Sequence, residues 1–190
     1  SLPSRGLGDV YKRQGNMGAP MASNLAAAGH DVTGFDVTGV SLANVELATS
    51  AAAAATGREV VITMLPDGAI LRSVAAEIMP VIAAGCGFVD CSTVDVDSAR
   101  AVAMDADAGG LLAVDAPVSG GVSGALAGTL TFMAGGSAAA FALAEPLFEI
   151  MGQKAVHCGD SGAGQSAKIC NNMILCLLYT SDAADDLGRG

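Results

Sequence analysis

Two polar residues near the carboxyl end of the chain are of types that could take part in acid/base chemistry. Lys168 and Asn172 stand four residues apart in a segment of helical periodicity, so both belong to one helix face. A partly desolvated lysine has a lowered pKa and can accept the hydroxyl proton when an alcohol loses a hydride. An asparagine one turn later fixes geometry without adding charge. A lone helical lysine is more often simply solvated, so the pair by itself is only a candidate.

A second candidate is the glycine-rich stretch at positions 15–18. Gly15 and Gly18 have the spacing of the last two glycines in G-x-G-x-x-G, a turn that approaches a pyrophosphate where a helix starts. The first glycine is replaced by Arg13, and G-x-x-G alone usually marks an ordinary turn. Asp36, which ends a short predicted strand, can accept both ribose hydroxyls and would repel a 2′-phosphate. The stretch therefore indicates a dinucleotide site that favours NAD over NADP.

Elements that would position these residues alternate between strand and helix, which predicts an α/β fold with a doubly wound, Rossmann-type, mostly parallel sheet. Strands are predicted at 32–35, 59–65, 87–91, 111–116, 130–134 and 154–157. Helices are predicted at 20–28, 40–48, 50–56, 69–79, 95–108, 137–151 and 163–175. The β-branched run at 59–65 is typical of a strand buried on both faces. The segment 159–162 is the one predicted domain boundary, between a unit at 15–160 and the start of a second unit at 161–175.

Composition excludes several classes of function. The chain has 190 residues, 52% hydrophobic residues and a net charge of −10, which argues against nucleic acid or an anionic membrane as partner. No apolar run is long enough to cross a membrane. Five cysteines show neither C-x-x-C nor a metal-ligand spacing, so we expect no metal site and buried free thiols in a reducing compartment. The expected compartment is the cytoplasm of a bacterium, or the mitochondrial matrix of a eukaryote.

Both ends of the chain lack helical or strand periodicity. Residues 9–14 read DVYKRQ, which the codons GAT GTG TAT AAG AGA CAG of a transposon-derived sequencing adapter would encode. Residues 176–181 read as the reverse complement of that adapter in another frame. We therefore expect 1–14 and 176–190 to be non-native, with the first glycine and first strand of the fingerprint lost. That loss would expose two strand edges, unless residues 9–12 took the strand position.

Four ordered blocks carry a family resemblance over nearly all of 15–175. They are GNMGAPMASN at 15–24, DCST at 90–93, DAPVSGG at 115–121 with GTLTFM at 128–133, and GAGQSAKICNNM at 162–173. On these blocks the chain resembles the β-hydroxyacid dehydrogenases. The resemblance implies an NAD-binding Rossmann domain followed by an all-helical domain of which only the first helix begins here.

The resemblance also implies a role for individual residues. The catalytic acid/base would be Lys168, and Asn172 would orient the substrate. The substrate carboxylate would be bound by Ser119, Gly120 and Gly121. The cofactor NAD would be held by Gly15, Asn16, Met17, Gly18, Asp36, Leu65, Pro66 and Thr93.

The substrate implied is a small 3-hydroxy acid. The leading reaction is oxidation of 3-hydroxyisobutyrate to methylmalonate semialdehyde, as in valine breakdown, and the alternative is reduction of tartronate semialdehyde. A homodimer or tetramer is expected at full length. A hypothesis of another class is that the 190-residue chain alone is a non-catalytic nucleotide-binding fragment, unstable or inactive by itself.

Overall fold

The protein is seen in a computed structural model that describes residues 7–39 and 45–186, with side chains for 17–39 and 45–176. The helices of this part are α1 Leu7–Ala27, α2 Ala51–Ala55, α3 Gly68–Ile78, α4 Val96–Ala108, α5 Gly121–Ala127, α6 Ala138–Met151 and α7 Ala163–Asp186, with a 3-10 turn at Met79–Val81. The strands are β1 Thr33–Gly34, β2 Glu46–Leu47, β3 Val60–Thr63, β4 Gly87–Asp90, β5 Leu112–Asp115, β6 Val118–Ser119, β7 Leu130–Gly136 and β8 Gly152–Gly159.

Six strands form the main sheet, in the order β3-β4-β5-β7-β6, with β8 paired to β7. The strands β3, β4 and β5 are parallel, whereas β7 runs antiparallel to both β5 and β6. Helices follow the parallel strands, which confirms the predicted α/β, doubly wound class. The carboxyl ends of β3, β4 and β5 therefore meet at one edge of the sheet.

A core covers each face of this sheet. Phe88 and Val89 are consecutive in β4, are both buried, and belong to separate clusters of buried side chains, because neighbouring strand residues point to opposite faces. One cluster includes Phe132 and Phe148, whose rings stack with centroids 4.5 Å apart, and residues of α1 and α6. The other lies beneath α3 and α4. None of the described helices is both long and apolar enough to cross a bilayer.

The strands β1 and β2 form a parallel pair that is separate from the main sheet. As a result β3 is an edge strand, and Val60, Val61 and Ile62 are only partly buried. Both faces of this strand pack against a core as predicted, with Val60 and Ile62 on one cluster and Val61 on the other. Its burial is incomplete because no strand of the described part pairs with its outer edge. The side chain of Arg58, just before β3, links the main sheet to the β1 and β2 pair. It contacts the Asp31 carboxylate at 2.7 Å and the Thr33 hydroxyl at 2.6 Å.

Most predicted elements are confirmed, but the structure differs from the prediction at several places. The first helix begins at Leu7, so the turn expected at 15–18, and the strand considered for 9–12, are both helical. Residues 46–47 are β2 where a helix was predicted; residues 40–44 of that prediction lie outside the described part. The elements β6 and α5 were not predicted, and α7 continues past 175. Cys91 is buried as expected, whereas Cys170 is exposed.

Candidate active site

The carboxylate of Asp115, at the end of β5, binds the start of α7. Its Oδ1 accepts a hydrogen bond from the amide of Gly162 at 2.7 Å, and its Oδ2 accepts one from the amide of Gln165 at 3.0 Å. The first amides of a helix lack partners within the helix, so a carboxylate placed there satisfies them and favours the positive end of the helix dipole. Strand β5 thereby fixes where the helix that carries Lys168 begins.

Two glycines allow α7 to lie directly on the sheet. A Cβ atom built on Gly164 would overlap the carbonyl oxygens of Met133 and Asp115. A Cβ atom on Gly135 of β7 would lie 2.6 Å from Asp115 Oδ1 and 2.7 Å from the amide nitrogen of Gly164. The first turn of α7 therefore contacts the backbones of β5 and β7 with no side chain between them.

Lys168 lies one turn along α7 and is 9% exposed. Burial lowers the pKa of its ammonium group, because loss of hydration disfavours the charged form. Within residues 17–39 and 45–176 no hydrogen bond or ion pair holds this group. Asn172, four residues on, is exposed on the same helix face. The structure thus gives Lys168 the partial desolvation that an amine base needs.

A buried polar chain joins the ends of β3 and β4 beneath this helix. The hydroxyl of Ser92 donates to Asp90 Oδ1 at 2.6 Å and accepts from the amide of Leu65 at 2.7 Å. Thr63 donates to the same carboxylate oxygen at 2.8 Å. Burial raises the pKa of Asp90 against the opposing effect of these hydrogen bonds, and its Oδ2 has no partner in the described residues. The loops that carry Leu65 and Thr93 are therefore held to one another.

The helix α7 is connected to the same chain through Gln165, which is completely buried. Its side-chain oxygen accepts from the amide of Val94 at 3.1 Å, and its side-chain nitrogen donates to the carbonyl of Ser92 at 2.8 Å. The two contacts lie on either side of Thr93, which is exposed. The loops of Leu65 and Thr93 and the helix that carries Lys168, predicted from separate motifs, are thus connected at one edge of the sheet.

The predicted carboxylate-binding segment begins four residues after Asp115. Ser119 is partly buried at the end of β6. Gly120 and Gly121 have φ angles of 128° and 61°, which L side chains rarely adopt, and both are exposed at the start of α5. Within the block at 115–121, Asp115 therefore binds the start of α7, and the backbone of Gly120 and Gly121 is exposed.

The residues predicted to hold the nucleotide lie near the ends of β1 and β3 and within α1. Asp36 follows β1 and is partly buried, and its Oδ1 accepts hydrogen bonds from the amide and the hydroxyl of Thr38. Pro66 lies partly exposed after β3. The glycines lie within α1, where Gly18 comes close to the end of β3, since a Cβ atom on it would be 3.7 Å from the Cβ of Met64.

Comparison with known proteins decides the family. Residues 14–159 match the family described as the NAD binding domain of 6-phosphogluconate dehydrogenase. The chain belongs to this family.

Relatives of this NAD-binding domain are dehydrogenases. The 3-hydroxyisobutyrate dehydrogenase of Pseudomonas aeruginosa is 49% identical over 177 residues, which are 89% of this chain and 59% of that protein. The NAD-dependent L-serine dehydrogenase of the same organism is 45% identical over the same shares. A solved structure of Mycobacterium tuberculosis 3-hydroxyisobutyrate dehydrogenase with L-serine is 42% identical, with a TM-score of 0.85, over 93% of this chain and 64% of that one. The chain thus spans less than two thirds of these relatives.

The residues predicted to flank the nucleotide and to bind its ribose fit NAD better than the segment predicted to bind its pyrophosphate. Leu65, Pro66 and Thr93 follow adjacent parallel strands at the edge where nucleotides bind in such sheets, and Asp36 follows β1. The pyrophosphate turn does not fit, because helix interior amides at 15–18 donate to carbonyls one turn earlier and do not point outward. The roles of the individual cofactor residues stay predictions.

Asp115 gives the NAD-binding domain a specific pH dependence. Burial raises the pKa of Asp115 from 3.8 to about 6, outweighing the hydrogen bonds from Gly162 and Gln165. The folded chain keeps this proton where the unfolded chain loses it, so its stabilising contribution is present at low pH and is lost as pH rises through about 6. We expect Asp115→Asn to abolish this loss of stability with rising pH. Between pH 4 and 6 the free energy of unfolding should change in favour of the variant by about 2 kcal/mol.

The measurement is urea unfolding of wild type and variant at pH 4, 5, 6 and 7. Asp107, an exposed residue of α4, provides the control, and the curve of Asp107→Asn should stay parallel to that of wild type. Parallel curves for Asp115→Asn and wild type would contradict the prediction.

Proposed function

We propose that the full-length gene product containing this chain oxidises 3-hydroxyisobutyrate to methylmalonate semialdehyde with NAD, a step of valine breakdown. The observation that carries the proposal is Lys168, a buried amine with a lowered pKa and no partner in the described residues, on a helix fixed to the loop of Thr93. The similarity to 3-hydroxyisobutyrate dehydrogenases supports the substrate.

The reaction requires a base beside the carbinol. The neutral amine of Lys168 accepts the hydroxyl proton as the C–H bond breaks and the C=O bond forms. When bound, NAD supplies the nicotinamide ring that takes up the hydride. Asn172 orients the hydroxyl, and Ser119 with the amides of Gly120 and Gly121 binds the carboxylate. The lowered pKa of Lys168 increases the fraction of the amine that is neutral, which is the form that the reaction uses.

A second candidate substrate is L-serine. It has the same hydroxymethyl group beside a carbon that bears a carboxylate, and differs only in having an ammonium group in place of the methyl group. The similarity to the NAD-dependent L-serine dehydrogenase, and to the solved structure with L-serine, favours this candidate. The carboxylate and hydroxyl sites proposed above serve either molecule equally, so discrimination lies at the third substituent.

The test compares kcat/KM of the full-length gene product for 3-hydroxyisobutyrate, L-serine and glycerate, with NAD as oxidant. The proposal expects 3-hydroxyisobutyrate to have the highest value. Preference for L-serine would replace it with the second candidate, and preference for glycerate would indicate a tartronate semialdehyde reductase. Size-exclusion chromatography of the same sample tests the expected homodimer or tetramer.

Asp36 should determine the choice between NAD and NADP. Its carboxylate would accept the ribose hydroxyls of NAD and repel the 2′-phosphate of NADP. We expect Asp36→Ser to lower the ratio of kcat/KM with NAD to that with NADP by about tenfold or more, which corresponds to about 1.4 kcal/mol. Asp67, the exposed N-cap of α3, offers the matched control Asp67→Ser. An unchanged ratio of kcat/KM with NAD to that with NADP in Asp36→Ser would show that Asp36 does not determine cofactor choice.

The 190-residue chain alone should not turn over substrate. Its sheet is divided between β1 and β3, and its glycine-rich segment is helical, so the pyrophosphate has no amide turn to bind. We expect no measurable NAD reduction by this chain under conditions in which the full-length gene product is active. Turnover by the chain at a comparable rate would contradict this prediction.

A further inference from the structure

The start of α7 is held by a distant part of the chain rather than by its own N-cap. The two amides bound by Asp115 belong to residues 47 and 50 positions further along the sequence. A helix is usually capped by the side chain of the residue that precedes it, as Ser50, Asp67 and Asp95 cap α2, α3 and α4 here. A cap supplied by β5 fixes the position of α7 relative to the sheet, which a local cap cannot do.

Gln165 fixes the same helix to a second strand end. Its side chain uses its acceptor on the amide of Val94 and one donor on the carbonyl of Ser92, and it is completely buried. Burying a primary amide has a cost that only fully formed hydrogen bonds offset. The side chain therefore tolerates one placement of α7 against the loop at 92–94, and Thr93 is the exposed residue of that loop.

Lys168 has no comparable anchor. It follows Gln165 by three residues on the same helix face, and no group of the described side chains binds its ammonium nitrogen. The position of the amine is therefore set by the position of the helix, and the helix is set by Asp115 and Gln165.

We propose that Asp115 and Gln165 are positioning residues that hold α7 so that the amine of Lys168 and the loop of Thr93 keep a fixed relation. This inference rests on the proposed function for the role of Lys168 as base. Asp115 fixes the start of the helix on β5, and Gln165 fixes its first full turn on the end of β4. Loss of either contact lets the helix move and lets water reach Lys168.

The test uses variants of the full-length gene product. Gln165→Met removes both side-chain hydrogen bonds at similar volume, and Asp115→Asn removes one of the two bonds to the helix. Ser166→Ala is the matched control, since it removes a hydroxyl from the same turn, bonded to the Gly162 carbonyl, and leaves the amide bonds to Asp115 and the side-chain bonds of Gln165 in place. The pKa of Lys168 is measured by NMR titration of 13C-methylated lysines, with its signal assigned through Lys168→Arg. Steady-state kinetics supply the acid limb of kcat/KM.

We expect the pKa of Lys168 to rise towards its ordinary value in both anchor variants, and the acid limb of kcat/KM to move to higher pH with it. The kcat should fall about 10- to 100-fold, the effect of a small misplacement of a reacting group, with KM changed little. Ser166→Ala should match wild type in both measurements.

An unmoved Lys168 titration in folded anchor variants would overturn the inference, even if their melting temperature fell. If Asp115→Asn does not fold, the test uses Gln165→Met and Gln165→Glu instead. Glutamate keeps the oxygen that accepts from Val94 and loses the nitrogen that donates to Ser92. If the wild type oxidises no 3-hydroxy acid, the proposed function fails. The NMR titration then decides the positioning role by itself, because it does not depend on turnover.

Discussion

Replacing Lys168 by methionine is expected to lower kcat by about 10²- to 10⁴-fold, the usual contribution of a positioned acid/base group. Methionine keeps the apolar stem in the buried site and removes the amine, so the fold should be retained. Among the side chains that the structure describes, the other lysine is Lys154 on β8, which is exposed. The loss should appear in kcat at saturating NAD and 3-hydroxyisobutyrate, with a primary deuterium isotope effect at least as large as that of wild type.

The control for this prediction is Lys154→Met. It removes one positive charge from the same domain, and its kcat should lie within about twofold of wild type, as expected for a surface substitution. A Lys168→Met variant with kcat in that range would show that the proton is accepted elsewhere, and the proposed mechanism would have to be abandoned.

Replacing Gly164 by alanine is expected to destabilise the protein by about 3 kcal/mol, because the added methyl group meets fixed atoms. Two of these atoms are backbone carbonyl oxygens, of Met133 and Asp115, and a third is Asp115 Oδ2 at 2.8 Å. Alanine gains at most about 1 kcal/mol over glycine in helix propensity, so the overlap decides the sign. The helix must move off the sheet, which also weakens the bonds to Asp115.

Urea unfolding of the full-length gene product measures this effect. Gly109→Ala is the matched control, since Gly109 has a φ of −81° and the nearest atom to an added Cβ is 3.4 Å away. Its change in the free energy of unfolding should stay within about 0.5 kcal/mol. A Gly164→Ala variant as stable as this control would contradict the close contact between α7 and the sheet.

The parts of the fold with strong local signals were predictable from the sequence. The β-branched run before Leu65 is β3, and the apolar helical spacing before Gly109 is α4. Short elements were not, because packing decides them: α5 has only seven residues and contains Gly124, yet it is helical against β7. The pair β1 and β2 depends on a partner strand, so residues 46–47 gave no local strand signal.

The glycine-rich segment shows a different limit. Its motif predicts a turn because it normally follows a strand, and the strand supplies the geometry. In this chain the preceding residues are helical, and the helix α1 continues through Gly15 and Gly18. A motif therefore predicts local structure only where its neighbouring element is also present.

At the site, the sequence identified the residues expected to meet a ligand but not those that hold them. Lys168 and Thr93 were predicted from matching blocks, and the structure connects the helix of Lys168 to the loop of Thr93 through Gln165. The roles of Asp115, Gln165 and Asp90 were missed, because their partners are distant in sequence and no periodicity relates them. A charged residue ending an apolar strand, as Asp90 and Asp115 do, was the available signal.

The division of the sheet has a consequence for local opening. The β1 and β2 pair is only two residues long on each strand, and it is flanked by backbone bonds from the amide of Glu46 to the carbonyl of Val32 at 3.2 Å and from the amide of Ala48 to the carbonyl of Gly34 at 2.9 Å. Strands this short open at little free-energy cost, so their amides should exchange with solvent deuterium far faster than those of β4. Asp36 lies directly after β1. Slower exchange at Glu46 and Ala48 would then be an early and sensitive sign that a nucleotide has occupied this corner.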